Sequence, residues 1–358
     1  MRYFDYSRLH DSKWDTETVA LLSCIHEAKG RQQLYLRQKE ATLDRLVELA
    51  KIQSTEASNA IEGIRTTQTR LRQLMAEKAT PKNRDESEIL GYRDALNIVH
   101  ESFDYIPMTP GYILQLHKIM FSHTDSSHGG RFKNVQNYIT ATDALGRQFI
   151  LFTPLAPYET PEAVQSLCDA FNIAIGNGSV DPLILIPAFI HDFLCIHPFI
   201  DGNGRMSRLL TTLLLYRSGY YIGRYISLEA KIAGNKGLYY DALQASQDGW
   251  HEGKDDPLPF IKYLLGTLVS AYGDFEERVE ILTDKEDAIA TVRKAVRRKI
   301  GPFKKTDICE LCPSLSATSV ERSLREMCSQ NELRKEGAGR STRYIRTDRR
   351  ASSPARRC

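Results

Sequence analysis

The chain has 358 residues with 48 Lys and Arg against 45 Asp and Glu, so its net charge of +3 excludes a polycation. No stretch approaches the roughly 20 apolar residues of a membrane-spanning helix, and residues 1–5 lead into no apolar run, so neither a membrane span nor a signal peptide is expected. Seven cysteines without a disulfide-type spacing favour a reducing compartment. We expect a cytoplasmic protein of two or three domains.

The first predicted region, residues 1–105, is mainly helical. Apolar residues recur at helical spacing between positions 36 and 52. A further helix of about residues 54–70 carries Ser58 and Glu62, which are four positions apart and therefore share one helix face. By itself this pattern is also compatible with a solvent-exposed surface helix.

A short hairpin is predicted inside the next region, the core of residues 106–270. Apolar residues flank a polar turn at 143–146 within the segment 137–152, as in two strands joined by a turn. An exposed strand edge beside an active site can hold an extended target segment by main-chain pairing. The alternative is a purely structural hairpin.

The densest group of chemically active residues lies at 197–208. Apolar residues at helical spacing precede and follow this segment, so it is predicted as a loop between two buried helices, the second of which begins just after the glycines. The alternative is a structural helix-loop-helix with solvated arginines. The segment reads HPFIDGNGRMSR and contains His197, Asp201, Gly202, Asn203, Gly204, Arg205 and Arg208.

These residue types suit a magnesium nucleotide. His197 is a natural general base, because an unperturbed imidazole has a pKa of about 6.5. Asp201 offers one carboxylate to Mg²⁺. The flexible Gly202 and Gly204 let helix N–H groups approach an anion. Arg205 and a second arginine three positions later share one helix face and suit polyphosphate oxygens.

The segment 197–208 resembles the Fic family signature, HPFx(D/E)GNGRxxR, at every fixed position. The resemblance extends over roughly residues 50–270 and includes the segments 130–139 and 226–243. It implies a mainly α fold, in which a Fic-type helical core carries a small β-hairpin flap.

The resemblance also implies transfer of AMP from ATP to a Ser, Thr or Tyr hydroxyl of a target protein. His197 then takes the proton of the hydroxyl, and Asp201 binds Mg²⁺ between the α- and β-phosphates. By the same resemblance, the remaining ATP-binding positions are Glu62, Gly202, Asn203, Gly204, Arg205, Arg208, Tyr239, Tyr240 and Gln247. The glycine at 204 favours AMP transfer over phosphorylation. Lys133 stands where relatives often carry arginine.

An inhibitory motif is the second implied feature. Residues 58–63 (SNAIEG) resemble the family pattern (S/T)xxxE(G/N), with Ser58, Glu62 and Gly63 at its fixed positions. In relatives the glutamate reaches the second arginine of the signature, here Arg208, and keeps the ATP γ-phosphate from binding productively. The resemblance therefore implies an autoinhibited resting enzyme, with inhibition acting within one chain or between two chains.

The last 75 residues have a different pattern. Three short helices and a glycine-tipped pair of polar strands resemble a winged helix domain over residues 284–347, followed by a basic tail at 348–358. DNA and a protein are both open as partners of this domain. A homodimer is a further alternative.

Three functions remain open at this stage. The first is an autoinhibited AMP transferase. The second is an enzyme that removes AMP through the same site, with Glu62 positioning water. The third is a DNA-binding regulator whose core only senses a nucleotide, although a sensor needs no base such as His197.

Overall fold

The computed structural model describes residues 2–36, 40–142, 146–283, 288–299, 301–312, 315–337 and 339–347. Over these ranges the chain is mainly helical with two small hairpins, which confirms the predicted fold class. None of the helices described there is long and apolar enough to cross a membrane.

The helices and strands of the described ranges follow in chain order. The helices are α1 (Thr16–Leu36), α2 (Glu40–Ile61), α3 (Gln68–Met75), α4 (Arg84–Ser102), α5 (Pro110–Met120), α6 (Thr160–Asn177), α7 (Pro182–Ile196), α8 (Asn203–Arg217), α9 (Leu228–Gly234), α10 (Lys236–Gln247), α11 (Leu258–Thr283), α12 (Ala288–Arg298), α13 (Lys305–Leu311) and α14 (Ala317–Ser329). The strands are β1 (Ile139–Thr142), β2 (Gln148–Phe152), β3 (Leu333–Glu336) and β4 (Arg343–Arg346).

The chain divides into two compact units. The first contains Met1–Arg31 and Val47–Tyr272, and the second contains Gln32–Leu46 and Gly273–Cys358. The boundary predicted near residue 105 therefore lies inside the first unit. The physical reason is that α4, on one side of that boundary, packs against α5 and α8 on the other side.

The core of the first unit is the helix pair α7 and α8. Every residue from Leu183 to Ile196 is buried, and α8 is buried from Arg205 to Tyr216. Helix α7 begins at Pro182, whose fixed φ suits a first helical turn, and Asp181 caps it by accepting from the Leu183 N–H. The segment 197–202 is the short loop between these two helices, so its backbone is held at both ends by the core.

The predicted helix at about residues 54–70 is interrupted. Helix α2 ends at Ile61, and the next helix starts at Gln68 with Thr67 as its N-cap. Glu62 therefore lies in the turn that follows α2, not within a continuous helix. The cause is local, because Gly63 adopts a φ of +86° that ends a right-handed helix.

The predicted flap is an antiparallel hairpin of β1 and β2, with Thr140 opposite Ile150 and Ala141 opposite Phe149. Phe149 and Ile150 are large apolar side chains that remain exposed on it. The predicted turn includes residues 143–145, which lie outside the described residues.

In the second unit, α12, α13, α14 and the β3–β4 hairpin enclose a separate apolar core. Phe303 adds an isolated antiparallel bridge to Tyr344, one of the β4 residues in that core. These are the three helices and the hairpin that the sequence predicts, and the winged helix assignment stays a prediction. The basic tail at 348–358 lies outside the described residues.

A buried ionic cluster anchors the start of the chain in the first unit. The Arg2 guanidinium lies 2.7 Å from Asp255 and 3.1 Å from Asp192 of α7. The Tyr6 hydroxyl and the Trp250 indole N–H both donate to the same Asp192 carboxylate. This network ties α7, five residues before His197, to the segment that follows α10.

Removing the Arg2 charge should destabilise the protein strongly. An Arg2→Met variant removes the nearest cation from two buried carboxylates and leaves Asp255 with the more distant Arg8, so the free energy of unfolding should fall by about 3 kcal/mol or more. Arg8 is the control, because it lies 3.6 Å from Asp255 and keeps 40% of its side chain exposed. Arg8→Met should lower the free energy of unfolding by about 1 kcal/mol or less, with both variants measured by urea titration. Equal losses in the two variants would contradict this interpretation.

Candidate active site

His197 ends helix α7 in a left-handed conformation, with φ +50°. Its Nδ1 lies 3.1 Å from the Leu194 carbonyl oxygen. A carbonyl only accepts, so Nδ1 carries the proton and Nε2 keeps its lone pair. Nε2 has no hydrogen-bond partner among the described residues. Burial lowers the pKa of His197 to about 4, so the imidazole is neutral and ready to accept a proton.

The loop after His197 is held by side-chain amides. Asn203 accepts from the Phe199 N–H and donates to the Phe199 carbonyl, at 2.9 and 2.7 Å. Asn137, just before the flap, donates to the carbonyls of His197 and Phe199. The Asn203 side chain is thus fully used in shaping the loop, whereas the resemblance implies that it lines the phosphate cradle.

His117 and Lys133 support the same loop from outside the signature. The His117 ring stacks on Phe199 with centroids 3.7 Å apart, accepts from the Gly130 N–H at Nδ1 and donates from Nε2 to the Asp201 carbonyl. The buried Lys133 ammonium donates to the Ile196 carbonyl, and burial lowers its pKa to about 8. Sequence reasoning missed both of these roles.

The start of helix α8 presents free backbone donors. The N–H groups of residues 203–205 have no hydrogen-bond partner among the described residues, whereas the Met206 N–H already bonds the Gly202 carbonyl. Such N–H groups, together with the helix dipole, form a ready anion site.

Two glycines are required at this turn for different reasons. Gly202 caps α8 with φ +84°, and a Cβ there would lie 2.5 Å from the Met120 side chain. A Cβ on Gly204 would overlap the Glu62 carboxylate. Gly202 therefore allows the turn, and Gly204 allows Glu62 to reach the start of α8.

The predicted contact between the glutamate and the second arginine is present. Glu62 Oε1 accepts from Arg208 Nη2 at 2.7 Å, although the two residues are 146 positions apart. Ser58 accepts from the same guanidinium through its hydroxyl and its carbonyl, both at 2.9 Å. The Arg208 side chain is only 3% exposed, while 32% of the Glu62 side chain faces solvent. All three contacts lie within one protein chain.

Arg205 has a different environment from the one expected. Its guanidinium is 1% exposed and lies 2.7 Å from Glu88 of α4. Arg84, one turn earlier on α4, donates to Glu88 at 2.6 Å and lies 3.4 Å from Asp201. Arg205 is therefore held by a buried carboxylate, whereas Arg84 is exposed to solvent beside Asp201.

Asp201 fits the demands of a Mg²⁺ ion bound together with a nucleotide. Its carboxylate is 46% exposed and accepts from the Gly202 N–H at 2.6 Å. Mg²⁺ uses one or two carboxylates and fills its other positions with phosphate oxygens and water. The group formed by His191, Asp192 and Asp255 does not fit in the same way, because its two carboxylates are buried and both already contact the Arg2 guanidinium.

The three residues expected near adenine lie on α10, and they differ in exposure. Tyr239 is 4% exposed. Burial raises its pKa, and the nearby Arg208 charge offsets part of this rise. Tyr240 is 43% exposed. Gln247 borders an open cavity of about 710 Å³ beside β2. Tyr240 and Gln247 are accessible, whereas Tyr239 packs next to Arg208.

The pKa of His197 determines how a reaction that uses this residue as its base slows at low pH. A general base must be unprotonated, and a pKa lowered from 6.5 to about 4 keeps His197 neutral down to about pH 5. If His197 is the base of a reaction at this site, kcat/KM of that reaction in a Glu62→Gly background should stay level from pH 8 to about pH 5. A loss centred near pH 6.5, with the protein still folded by circular dichroism, would contradict this environment.

A model of the Fic/DOC family matches residues 107–215. Residues 107–215 are therefore similar to the Fic/DOC family. Protein adenylyltransferase Fic of Drosophila willistoni is 27% identical to this chain over 278 residues, which is 75% of this chain and 49% of the relative. The chain thus spans about half the length of the curated relatives it matches.

Solved structures share this fold. A Fic family protein from Desulfovibrio desulfuricans G20 superposes with a TM-score of 0.60 at 21% identity, covering 94% of this chain and 97% of that structure. Fic-1 of Caenorhabditis elegans gives a TM-score of 0.60 at 20% identity, covering 74% of this chain and 73% of that structure. The chain therefore shares the fold of these proteins.

Proposed function

We propose that the chain is a protein adenylyltransferase that transfers AMP from ATP to a hydroxyl side chain of a target protein. The observation that carries this proposal is the loop 197–202, which begins at His197, whose Nε2 has no partner among the described residues, and leads directly into the free N–H groups of residues 203–205 at the start of α8. A base and an anion cradle at the two ends of one short loop suit attack on a phosphate. The names of the relatives agree with this activity.

In the proposed reaction, His197 Nε2 takes the proton of the target hydroxyl. The hydroxyl oxygen forms a bond to the α-phosphorus, and the bond from that phosphorus to the pyrophosphate oxygen breaks. The N–H groups at the start of α8 stabilise the charge that develops on the phosphate oxygens. Asp201 is the residue that holds Mg²⁺, which when bound neutralises phosphate charge. Protonated His197 then returns its proton to solvent.

Glu62 acts as an intramolecular brake in this proposal. The Arg208 guanidinium is the cation best placed to bind the γ-phosphate, since Arg205 is already held by Glu88. Its fork is occupied by Glu62 and Ser58, so a phosphate must displace a carboxylate from a nearly buried arginine. The resting chain is therefore expected to have low activity.

The flap supplies the contact with the target protein. Phe149 and Ile150 of β2 are exposed apolar side chains on a two-stranded hairpin. A two-stranded hairpin has free main-chain edges, and an extended segment of the target can pair with one of them. This arrangement brings the acceptor hydroxyl of the target to the loop that carries His197.

Removal of AMP from a modified protein is a second candidate activity. The second carboxylate oxygen of Glu62 has no hydrogen-bond partner among the described residues, and the Glu62 charge acts on the pKa of His197. A carboxylate with one free oxygen can orient a water molecule for attack on a phosphodiester. Loss of AMP removal in Glu62→Gly, together with a gain of AMP transfer, would indicate that both reactions use this site.

The position of the transferred label tests the proposed function. The Glu62→Gly protein should be incubated with Mg²⁺ and ATP labelled at either the α- or the γ-phosphate. AMP transfer predicts label in protein only from α-labelled ATP, with release of pyrophosphate. Label from γ-labelled ATP alone would identify a phosphotransferase instead.

A further inference from the structure

The positive charge of the chain is concentrated in its last part. Residues 288–347, here called the C-terminal module, contain 14 Lys and Arg against 6 Asp and Glu, a net charge of +8. Since the whole chain has a net charge of +3, the remaining residues have a net charge of −5. A charge imbalance of this kind between parts of one chain points to a polyanionic partner for the basic part.

The module contains two consecutive helices, α13 and α14, that pack against each other. The Ser316 hydroxyl accepts from the Ser319 N–H and caps α14. One face of α14 enters the apolar core through Val320, Leu324 and Met327. The opposite side of the helix stays exposed and carries Arg322 and Arg325 together with Glu326.

The hairpin adds exposed cations to this helix. Arg334 and Lys335 of β3 and Arg343 of β4 are all exposed. Arg325 pairs with Glu321, and Arg334 pairs with Glu336. Within the described residues, Arg322, Lys335 and Arg343 have no acidic partner. Three exposed positive charges on α14 and on the hairpin that follows it therefore form no ion pair within the described residues, although Glu336 lies opposite Arg343 in the hairpin.

We propose that the C-terminal module binds double-stranded DNA, with α14 in the major groove and the β3–β4 hairpin against the phosphate backbone. The second helix of a helix-turn-helix enters the major groove, whose width admits one helix. A protein partner fits this surface less well. Protein interfaces are enriched in aromatic residues and depleted in lysine, whereas the described residues of 288–347 include no exposed large apolar side chain. This proposal does not depend on the proposed AMP transfer.

The salt dependence of binding to a duplex tests this proposal. The full chain should be titrated into a fluorescently labelled mixed-sequence DNA duplex at several salt concentrations, without ATP, and followed by fluorescence anisotropy. The affinity of the wild-type chain should fall steeply as salt rises, because phosphate contacts release counterions. In an Arg322→Ala, Lys335→Ala, Arg343→Ala triple variant, three lost phosphate contacts should make the log–log slope shallower by about 2.7.

A charge-matched variant separates local contacts from net charge. Arg72, Lys78 and Lys82 are exposed cations of the first unit, so changing all three to glutamine removes the same charge away from the module. This control should keep the wild-type slope. If the triple variant fails to fold, the single variant Arg322→Glu, at an exposed helix position, takes its place. It should also weaken binding to the duplex.

Three results would overturn the proposal. One is the absence of salt-dependent duplex binding, and another is an equal change of slope in the triple variant and its control. The third is a protein complex that depends on Arg322, Lys335 and Arg343 and that duplex DNA does not displace.

Discussion

Replacing Glu62 with glycine should raise the initial rate of AMP transfer by about 100-fold. The change frees the Arg208 guanidinium, which Glu62 Oε1 contacts at 2.7 Å, for the γ-phosphate of ATP. A contact between a part-exposed carboxylate and a buried guanidinium is worth about 3 kcal/mol when one partner is removed. At about 1.4 kcal/mol for each factor of ten, this corresponds to about 100-fold. The ratio of the two rates is obtained by measuring pyrophosphate release by Glu62→Gly and by the wild type under identical conditions.

The control for this prediction is Glu48→Gly. Glu48 is an exposed glutamate of α2, the helix that ends just before Glu62, so the variant tests the effect of a glycine without touching Arg208. Its rate should equal that of the wild type. If Glu62→Gly is no faster than Glu48→Gly, Glu62 does not limit the reaction.

Replacing His197 with alanine in the Glu62→Gly background should lower the rate of AMP transfer by about 1,000-fold. Loss of a general base costs about 100- to 10,000-fold. The helix N–H groups and Arg208 remain, so the affinity for ATP should change little. Isothermal titration with ATP and single-turnover kinetics separate these two quantities.

His10→Ala is the matched control for His197. His10 is an exposed histidine outside the site, and its imidazole lies 2.9 Å from the exposed Asp11 carboxylate. Its rate should stay within about twofold of the parent, since exposed ion pairs contribute little. A His197→Ala variant that keeps most of the parental rate would remove His197 from the chemistry.

The sequence predicts those parts of the site that are local in the chain. The loop between two buried helices and the hairpin flap both follow from spacing and turn residues within a few positions, although α8 begins at Asn203, one residue before the second glycine. The contact of Glu62 with Arg208 spans 146 positions, and it was expected only from the family resemblance. A local pattern cannot show which distant arginine a glutamate reaches.

The contacts that no pattern indicated are tertiary. Glu88 is an ordinary helix position, and its burial against Arg205 depends on how α4 packs on α8. His117 likewise has no sequence signal for its stacking on Phe199. The break after Ile61 was detectable, since Gly63 is a typical helix terminator and Thr67 a typical N-cap.

Label transfer from α-³²P-ATP with Mg²⁺ tests the central claim most directly, in a comparison of three proteins. These are the wild type, Glu62→Gly, and Glu62→Gly combined with His197→Ala. Weak labelling of the wild type, strong labelling with Glu62→Gly and none with the double variant is the predicted result, on the protein itself or on proteins of an added lysate. No label in any of the three, with ATP binding intact, would contradict AMP transfer by this site.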